Sequence, residues 1–195
     1  MSTARIPATE ITGGYGILVK AAMRRMVGRV PDSVGVLWHN PRVFTDLISI
    51  GRKSEKWHAL DENLGSFARM AAAAEVGCGF CLDFNYFLAH NRGLDEAKAR
   101  EVPRWRESDV FTPLERRVME YAEAMCQTPV VVTDELSDAL LAELGPAALL
   151  ELAAAVGLMN ATARMNLALG IRSDHYSDAC GLPPLATRSA VAGAA

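Results

Sequence analysis

The sequence predicts an all-α protein, and three observations carry that expectation. Apolar residues recur with helical period along most of the chain. No run alternates apolar and polar side chains as a half-buried strand would, and capping residues stand at the ends of the periodic segments. With 195 residues, 50% of them hydrophobic and 22% charged, the chain can bury one good core, which points to a single domain.

Residues 15 to 28 read as a first amphipathic helix. Pro31 and Asp32 then make a turn into a short helix towards Trp38, and Pro41 opens another that ends near Gly51. From Asp61, the apolar positions Leu64, Phe67, Ala68, Ala71 and Ala72 keep the spacing of a helix with one buried face, and Gly77 stops it. The next helix begins near Cys78, runs through Phe84, Phe87 and Leu88, and ends at Gly93; a short helix follows over about 95 to 102.

Punctuation is clearest in the second half. Thr112, Pro113 and Glu115 are an N-cap, an N1 proline and the N3 carboxylate of a capping box, and they predict a helix to about Gln127. Thr133 caps a helix ending at Gly145, and Pro146 starts a long Ala/Leu-rich helix that ends at Gly170. After Arg172, Pro183, Pro184 and the terminal AVAGAA predict an extended or mobile tail. Each half holds a capped helix leading into an apolar, alanine-rich one, a pattern compatible with two degenerate helical repeats.

Bulk properties narrow the function classes. A formal net charge of -3, with Lys and Arg spread along the chain, suggests neither nucleic acid nor an anionic membrane as partner. The one basic run, Lys20, Arg24, Arg25 and Arg29, reads as a solvated helix face. The N-terminus has no apolar core suited to a signal peptide, and the most apolar stretch, Leu144 to Leu158, is interrupted by Pro146 and Glu151 and falls short of the roughly 20 residues of a membrane span. The expected location is cytoplasmic.

Four cysteines do not make a secreted disulfide framework here, because Cys126 and Cys180 are isolated while Cys78 and Cys81 are three apart. In EVGCGFCLDFN the dithiol follows the helix-stopping Gly77, so Cys78 falls at the start of the next helix. In that first turn the unpaired N–H groups and the positive end of the macrodipole favour a thiolate. Cys81, one turn later, lies on the same face and can close a reversible disulfide. Other readings compete. Half a zinc site would need two further ligands, yet no second CxxC or HxxxH is present, so no metal or other cofactor is expected. Two ordinary buried cysteines could also meet at this spacing, as Cys126 and Cys180 are each expected to pack singly.

The segment EVGCGFCLDFNYFLAHNRGLDEAKAREV resembles the CxxC element of the alkylhydroperoxidase D (AhpD)-like / carboxymuconolactone decarboxylase family. LGSFARMAAAAEVGC resembles its preceding helix, and FTPLERRVMEYAEAMCQTPVVVTDELSDALL with NATARMNLALG resembles its second half. The likeness covers residues 35 to 172, leaving an N-terminal helical segment, 1 to 34, and a C-terminal tail, 173 to 195. It implies an AhpD-like helical fold and a homo-oligomer. The alanine-rich faces of residues 68 to 74 and 147 to 158 are the expected packing surface between subunits. It also implies dithiol-dependent reduction of a hydroperoxide or disulfide substrate, or service to a peroxide-detoxifying system, with a lipoyl or thioredoxin-like reductant.

The chain departs from the family pattern at its relay. Redox members carry a histidine four residues after the second cysteine, where this chain has Asn85, an amide that can donate a hydrogen bond but cannot shuttle a proton at pH 7. A histidine found just before the second cysteine in some members is Phe80 here. The family's relay glutamate falls near Ser66, with Glu62 one turn earlier and Glu75 the nearest carboxylates. His90 lies on about the opposite face of the dithiol helix, and His39, His58 and His175 belong to no motif. Asp83 is expected to point away from the dithiol in a surface or capping role.

Cys78, Cys81 and Asn85 are therefore the candidate catalytic residues of a thiol-disulfide oxidoreductase with peroxidase activity. The family order makes Cys81 attack and Cys78 resolve, whereas position alone favours Cys78 as the lower-pKa sulfur. The alternatives are a cofactor-free, carboxymuconolactone decarboxylase-like lyase working by acid-base chemistry, and a non-catalytic helical assembly protein.

Overall fold

A computed structural model describes residues 4–173 and 175–187, and among them the secondary structure is entirely helical. In chain order the helices are α1 (Gly13–Val27), α2 (Asp32–Leu37), α3 (Pro41–Ser54), α4 (Glu62–Val76), α5 (Gly79–Asn91), α6 (Glu96–Glu101), α7 (Pro113–Cys126), α8 (Asp134–Leu169) and α9 (Tyr176–Ala179). A 3₁₀ turn, Val102–Arg104, follows α6.

α4 is the centre of the molecule because its sequence leaves it almost no polar face. Phe67, Ala68, Met70, Ala71, Ala72 and Ala73 are each 1% exposed or less, packed against α5, α7 and α8. The core continues through Val118, Met119 and Ala122 of α7 and Leu140, Leu152 and Val156 of α8. Each large side chain buried there contributes about 1.5–3 kcal/mol, while the alanines let the helix backbones approach one another. Ala68 and Ala71 to Ala73, most of the 68 to 74 face expected at a subunit contact, are thus buried inside the chain. On α8, Leu150 remains 71% exposed.

The caps form as their residues predict. Asp61 accepts from the Asn63 and Leu64 amides, and Thr112 and Glu115 complete both halves of the capping box. Thr133 accepts from the Leu136 amide. α8 breaks where the sequence places a glycine before a proline: Gly145, at φ 76° and ψ 167°, leaves helical geometry, and Pro146 restarts it. By length and apolar composition α8 would suffice to cross a membrane, a larger apolar span than residues 144 to 158 alone indicated. Its Leu140, Leu152, Val156 and Ala163 are buried within the chain.

α1, α2 and α3 gather around a small separate core of Ile11, Val19, Val34, Trp38 and Phe44. The approach is close at Gly35, where an added Cβ would meet Ala8 Cβ at 2.9 Å, and the Thr9 amide donates to the Gly35 carbonyl at 3.1 Å. Arg5 ties this segment to the end of α8, its backbone N–H reaching the Leu169 carbonyl at 2.8 Å and its guanidinium the Ala168 carbonyl at 2.6 Å.

The tail differs from expectation. Residues 176–179 form α9, with Tyr176 and Leu182 buried, and the Ala186 amide donates to the Arg100 carbonyl at 3.0 Å. The terminal AVAGAA lies outside the described residues.

Candidate active site

Gly77 ends α4 in the left-handed conformation (φ 81°), which reverses the chain and delivers Cys78 to the N-cap of α5 rather than into its first turn. Cys78 and Cys81 are disulfide-bonded, with a Cα–Cα separation of 5.3 Å that one helical turn supplies without displacing the backbone. The Cys81 backbone N–H points at Cys78 Sγ, 3.3 Å away, so this sulfur takes the place of the usual serine or aspartate cap. The pair is buried, Cys78 at 1% and Cys81 at 4% exposure. Ala73 of α4 and Ala163 of α8 wall it in, and Val76, Phe80, Leu82 and Met159 pack around them.

Two side-chain amides enter this apolar surround. Asn85 is buried and lies one turn beyond Cys81. Its Nδ2 donates to the Cys81 backbone carbonyl at 2.7 Å and approaches Met159 Sδ at 3.9 Å, so its hydrogen bond goes to the backbone instead of the sulfur. The group that reaches the sulfur is Asn166 of α8, whose Nδ2 donates to Cys81 Sγ at 3.4 Å from a buried position. Sequence reading did not single out Asn166. The available signal was an amide on the stripe Met159, Ala163, Asn166, spaced i, i+4, i+7 along an otherwise apolar helix. The site thus holds two sulfurs and two amides.

The carboxymuconolactone decarboxylase family model matches residues 44–124, which span α4, α5 and most of α7. The uncharacterized protein YnjA of Escherichia coli (strain K12) is 35% identical over 150 residues, covering 76% of this chain and 82% of that protein. The chain belongs to the carboxymuconolactone decarboxylase family. Among solved structures, the alkylhydroperoxidase AhpD core of a peroxidase-related protein from Ralstonia eutropha JMP134 superposes with a TM-score of 0.77 at 18% identity, covering 90% of this chain and 95% of that one. The debrominase Bmp8, solved with 2,3,4-tribromopyrrole, superposes with a TM-score of 0.76 at 18% identity, covering 93% and 97%. These likenesses show a shared AhpD-like fold.

The remaining candidates of the carboxymuconolactone decarboxylase-type relay are dispersed. Ser66 is buried in α4, and Glu62 is exposed at that helix's N-terminal end. Glu75 accepts from Gln127 Nε2 in an open cleft of about 520 Å³, also lined by Val76, Cys126, Thr128 and Arg164. His90 is exposed and pairs with Glu96 at 2.6 Å, His39 bonds the Pro7 carbonyl at 2.8 Å, His175 pairs with Asp178 at 3.0 Å, and His58 is exposed. Cys126 is buried as expected, and burial pushes its thiol up to about 11, which keeps it protonated and unreactive at neutral pH. Cys180 is exposed at the end of α9, contrary to its expected burial, because α9 rests on α5 through Tyr176.

Asp83 departs most from its expected surface role. It is buried and receives the Ser173 hydroxyl at 2.8 Å, the Tyr176 amide at 2.8 Å, the Ser177 amide at 3.1 Å and the Ser177 hydroxyl, so it caps α9 from across the fold. With this clasp closed, Tyr176 sits among Phe80, Phe84 and Phe87. Burial alone would raise the Asp83 pKa, but the hydrogen bonds from Ser177, Ser173 and Tyr176 outweigh it and hold the carboxyl below its usual value. A depressed folded-state pKa stabilises the clasp above the ordinary Asp value of ~3.9, and this is lost as the pH falls through the depressed value. Asp83→Ala is expected to cost about 3 kcal/mol and to speed limited proteolysis between residues 173 and 187 at pH 7. Unchanged cleavage there would contradict the clasp.

Proposed function

We propose that the protein is a dithiol oxidoreductase that reduces hydroperoxides, working through Cys78 and Cys81. The observation that carries this reading is the bonded pair itself, closed at the start of α5 and buried among Ala73, Ala163 and the apolar side chains around them. Family membership and the AhpD-like fold support it. The amides of Asn85 and Asn166 weigh against the lyase alternative, since neither can exchange a proton as an acid-base catalyst must.

The cycle balances with this chain's own atoms. The Cys81 thiolate attacks the outer oxygen of ROOH, the O–O bond breaks, and RO⁻ takes the Cys78 proton to leave as ROH. The Cys78 thiolate then attacks the Cys81 sulfenic acid, expels hydroxide, and forms the disulfide. A lipoyl or thioredoxin-like dithiol returns two electrons and two protons by exchange. Self-association belongs to the same proposal, with the exposed Leu150 of α8 as its available apolar surface.

The Bmp8 likeness supplies a second oxidant to test, because reductive debromination of an aromatic ring would also convert a dithiol to a disulfide, releasing bromide and a proton. Reduced protein mixed with one equivalent of an organic hydroperoxide should give one alcohol per chain and lose two thiols. Bromide from 2,3,4-tribromopyrrole, with no alcohol from the hydroperoxide, would move the reading to dehalogenation.

A further inference from the structure

Among the described residues each sulfur of the pair has one hydrogen-bond donor, and the two donors come from different places. Cys78 Sγ receives the Cys81 backbone N–H at 3.3 Å, and Cys81 Sγ receives Asn166 Nδ2 at 3.4 Å. Cys78 stands at the N-cap of α5 and Cys81 at its third residue, so the positive end of the macrodipole acts on both and by position favours Cys78, which leaves a side-chain donor as the counterweight at Cys81. The backbone donor cannot be moved by evolution, whereas the side-chain donor is a choice of residue. Asn166 is itself fixed, since its carbonyl accepts the Gly170 and Ile171 amides where α8 ends.

We propose that Asn166 is a catalytic residue of this dithiol, whose amide donates to the Cys81 sulfur and makes Cys81, rather than Cys78, the sulfur that carries the negative charge and attacks the oxidant. The proposal rests on the dithiol reading and names the group that orders its two sulfurs. In a buried, apolar pocket a hydrogen bond to a charged acceptor is much stronger than one to a neutral sulfur, so reduction of the disulfide strengthens this contact where the thiolate forms. Three charged residues near the pair along the packed helices have these partners. Glu75 of α4 accepts from Gln127, Asp83 of α5 clasps α9, and Arg164 of α8 donates to the Cys126 carbonyl at 2.6 Å. Met159 faces Asn85 with an uncharged thioether. The charge on Cys81 thus answers to the Asn166 amide.

The test is a short pulse of iodoacetamide on reduced protein at a series of pH values, with the alkylation rate of each cysteine read by peptide mass spectrometry. In the wild type Cys81 should react faster than Cys78, with a single pH midpoint. Asn166→Leu should slow Cys81 at pH 7 by roughly tenfold and leave Cys78, with its backbone donor intact, the faster of the two. The near-isosteric Asn166→Asp should slow Cys81 as well, because a carboxylate replaces the donor. An unchanged order and midpoint in Asn166→Leu would overturn the proposal. Should circular dichroism show that variant unfolded, the Asp variant decides. In the wild type the Asn166 side-chain ¹⁵N resonance must move with the Cys81 titration, and a stationary resonance overturns the proposal without any variant. Failure of the dithiol reading looks different: the pair would not form a reversible disulfide at all.

Discussion

Cys81→Ser is expected to lower hydroperoxide turnover by roughly 10³-fold or more, to the background of the reductant alone, the scale on which loss of a covalent nucleophile acts. A hydroxyl at this place keeps the size and the Asn166 contact but cannot be oxidised, so neither the sulfenic acid nor the disulfide forms. Cys78→Ser separates the two sulfur roles. It should retain one fast turnover, ending in a sulfenic acid at Cys81, and then stall because nothing resolves it. A rapid-mix assay of alcohol formed against chains present reads both outcomes. One turnover surviving in Cys81→Ser, with none in Cys78→Ser, would reverse the order of attack.

The second large effect concerns proton delivery. Asn85 lies one turn beyond Cys81 and spends its amide on the Cys81 carbonyl, so the leaving alkoxide must draw its proton from Cys78. Asn85→His would place an imidazole beside the dithiol in the family's relay position. The expected result is a gain of roughly 10²-fold in the peroxide rate, now varying with pH near the imidazole value of ~6.5. Stopped-flow rates for the wild type, Asn85→His and Asn85→His with Cys81→Ser test it, and the last should be inactive. A fast wild type with no gain in Asn85→His would show that proton delivery does not limit the reaction.

What could be read from the chain follows the range of the forces involved. Asp61, Thr112 with Glu115, Thr133, and the Gly145-Pro146 break act within one helical turn, and each forms where the sequence puts it. The dithiol was legible for the same reason, since three residues of spacing on a helix fix its geometry. Asn166 was not, because its contact with Cys81 spans 85 positions and carries no motif. The tail departs from its expected extended form at Tyr176–Ala179, while residues 182–187 carry no helix. Its order comes from Asp83, 94 positions from Ser177, and from an aromatic seat for Tyr176 that exists only once α5 and α9 meet. The alanines of 68 to 74 show the limit of composition: a small-residue face marks close helix packing, and the neighbouring helix proved to be in the same chain.

Cys78 and Cys81 are proposed to act as one reversible redox pair. The most direct measurement is to add one equivalent of hydroperoxide to fully reduced protein, trap all remaining thiols, and map the peptides by mass spectrometry. The expected product is a Cys78–Cys81 disulfide within each chain, with Cys126 and Cys180 recovered as trapped thiols, and full return of all four thiols on reduction. A disulfide to Cys126, or four free thiols after the peroxide is consumed, would contradict it.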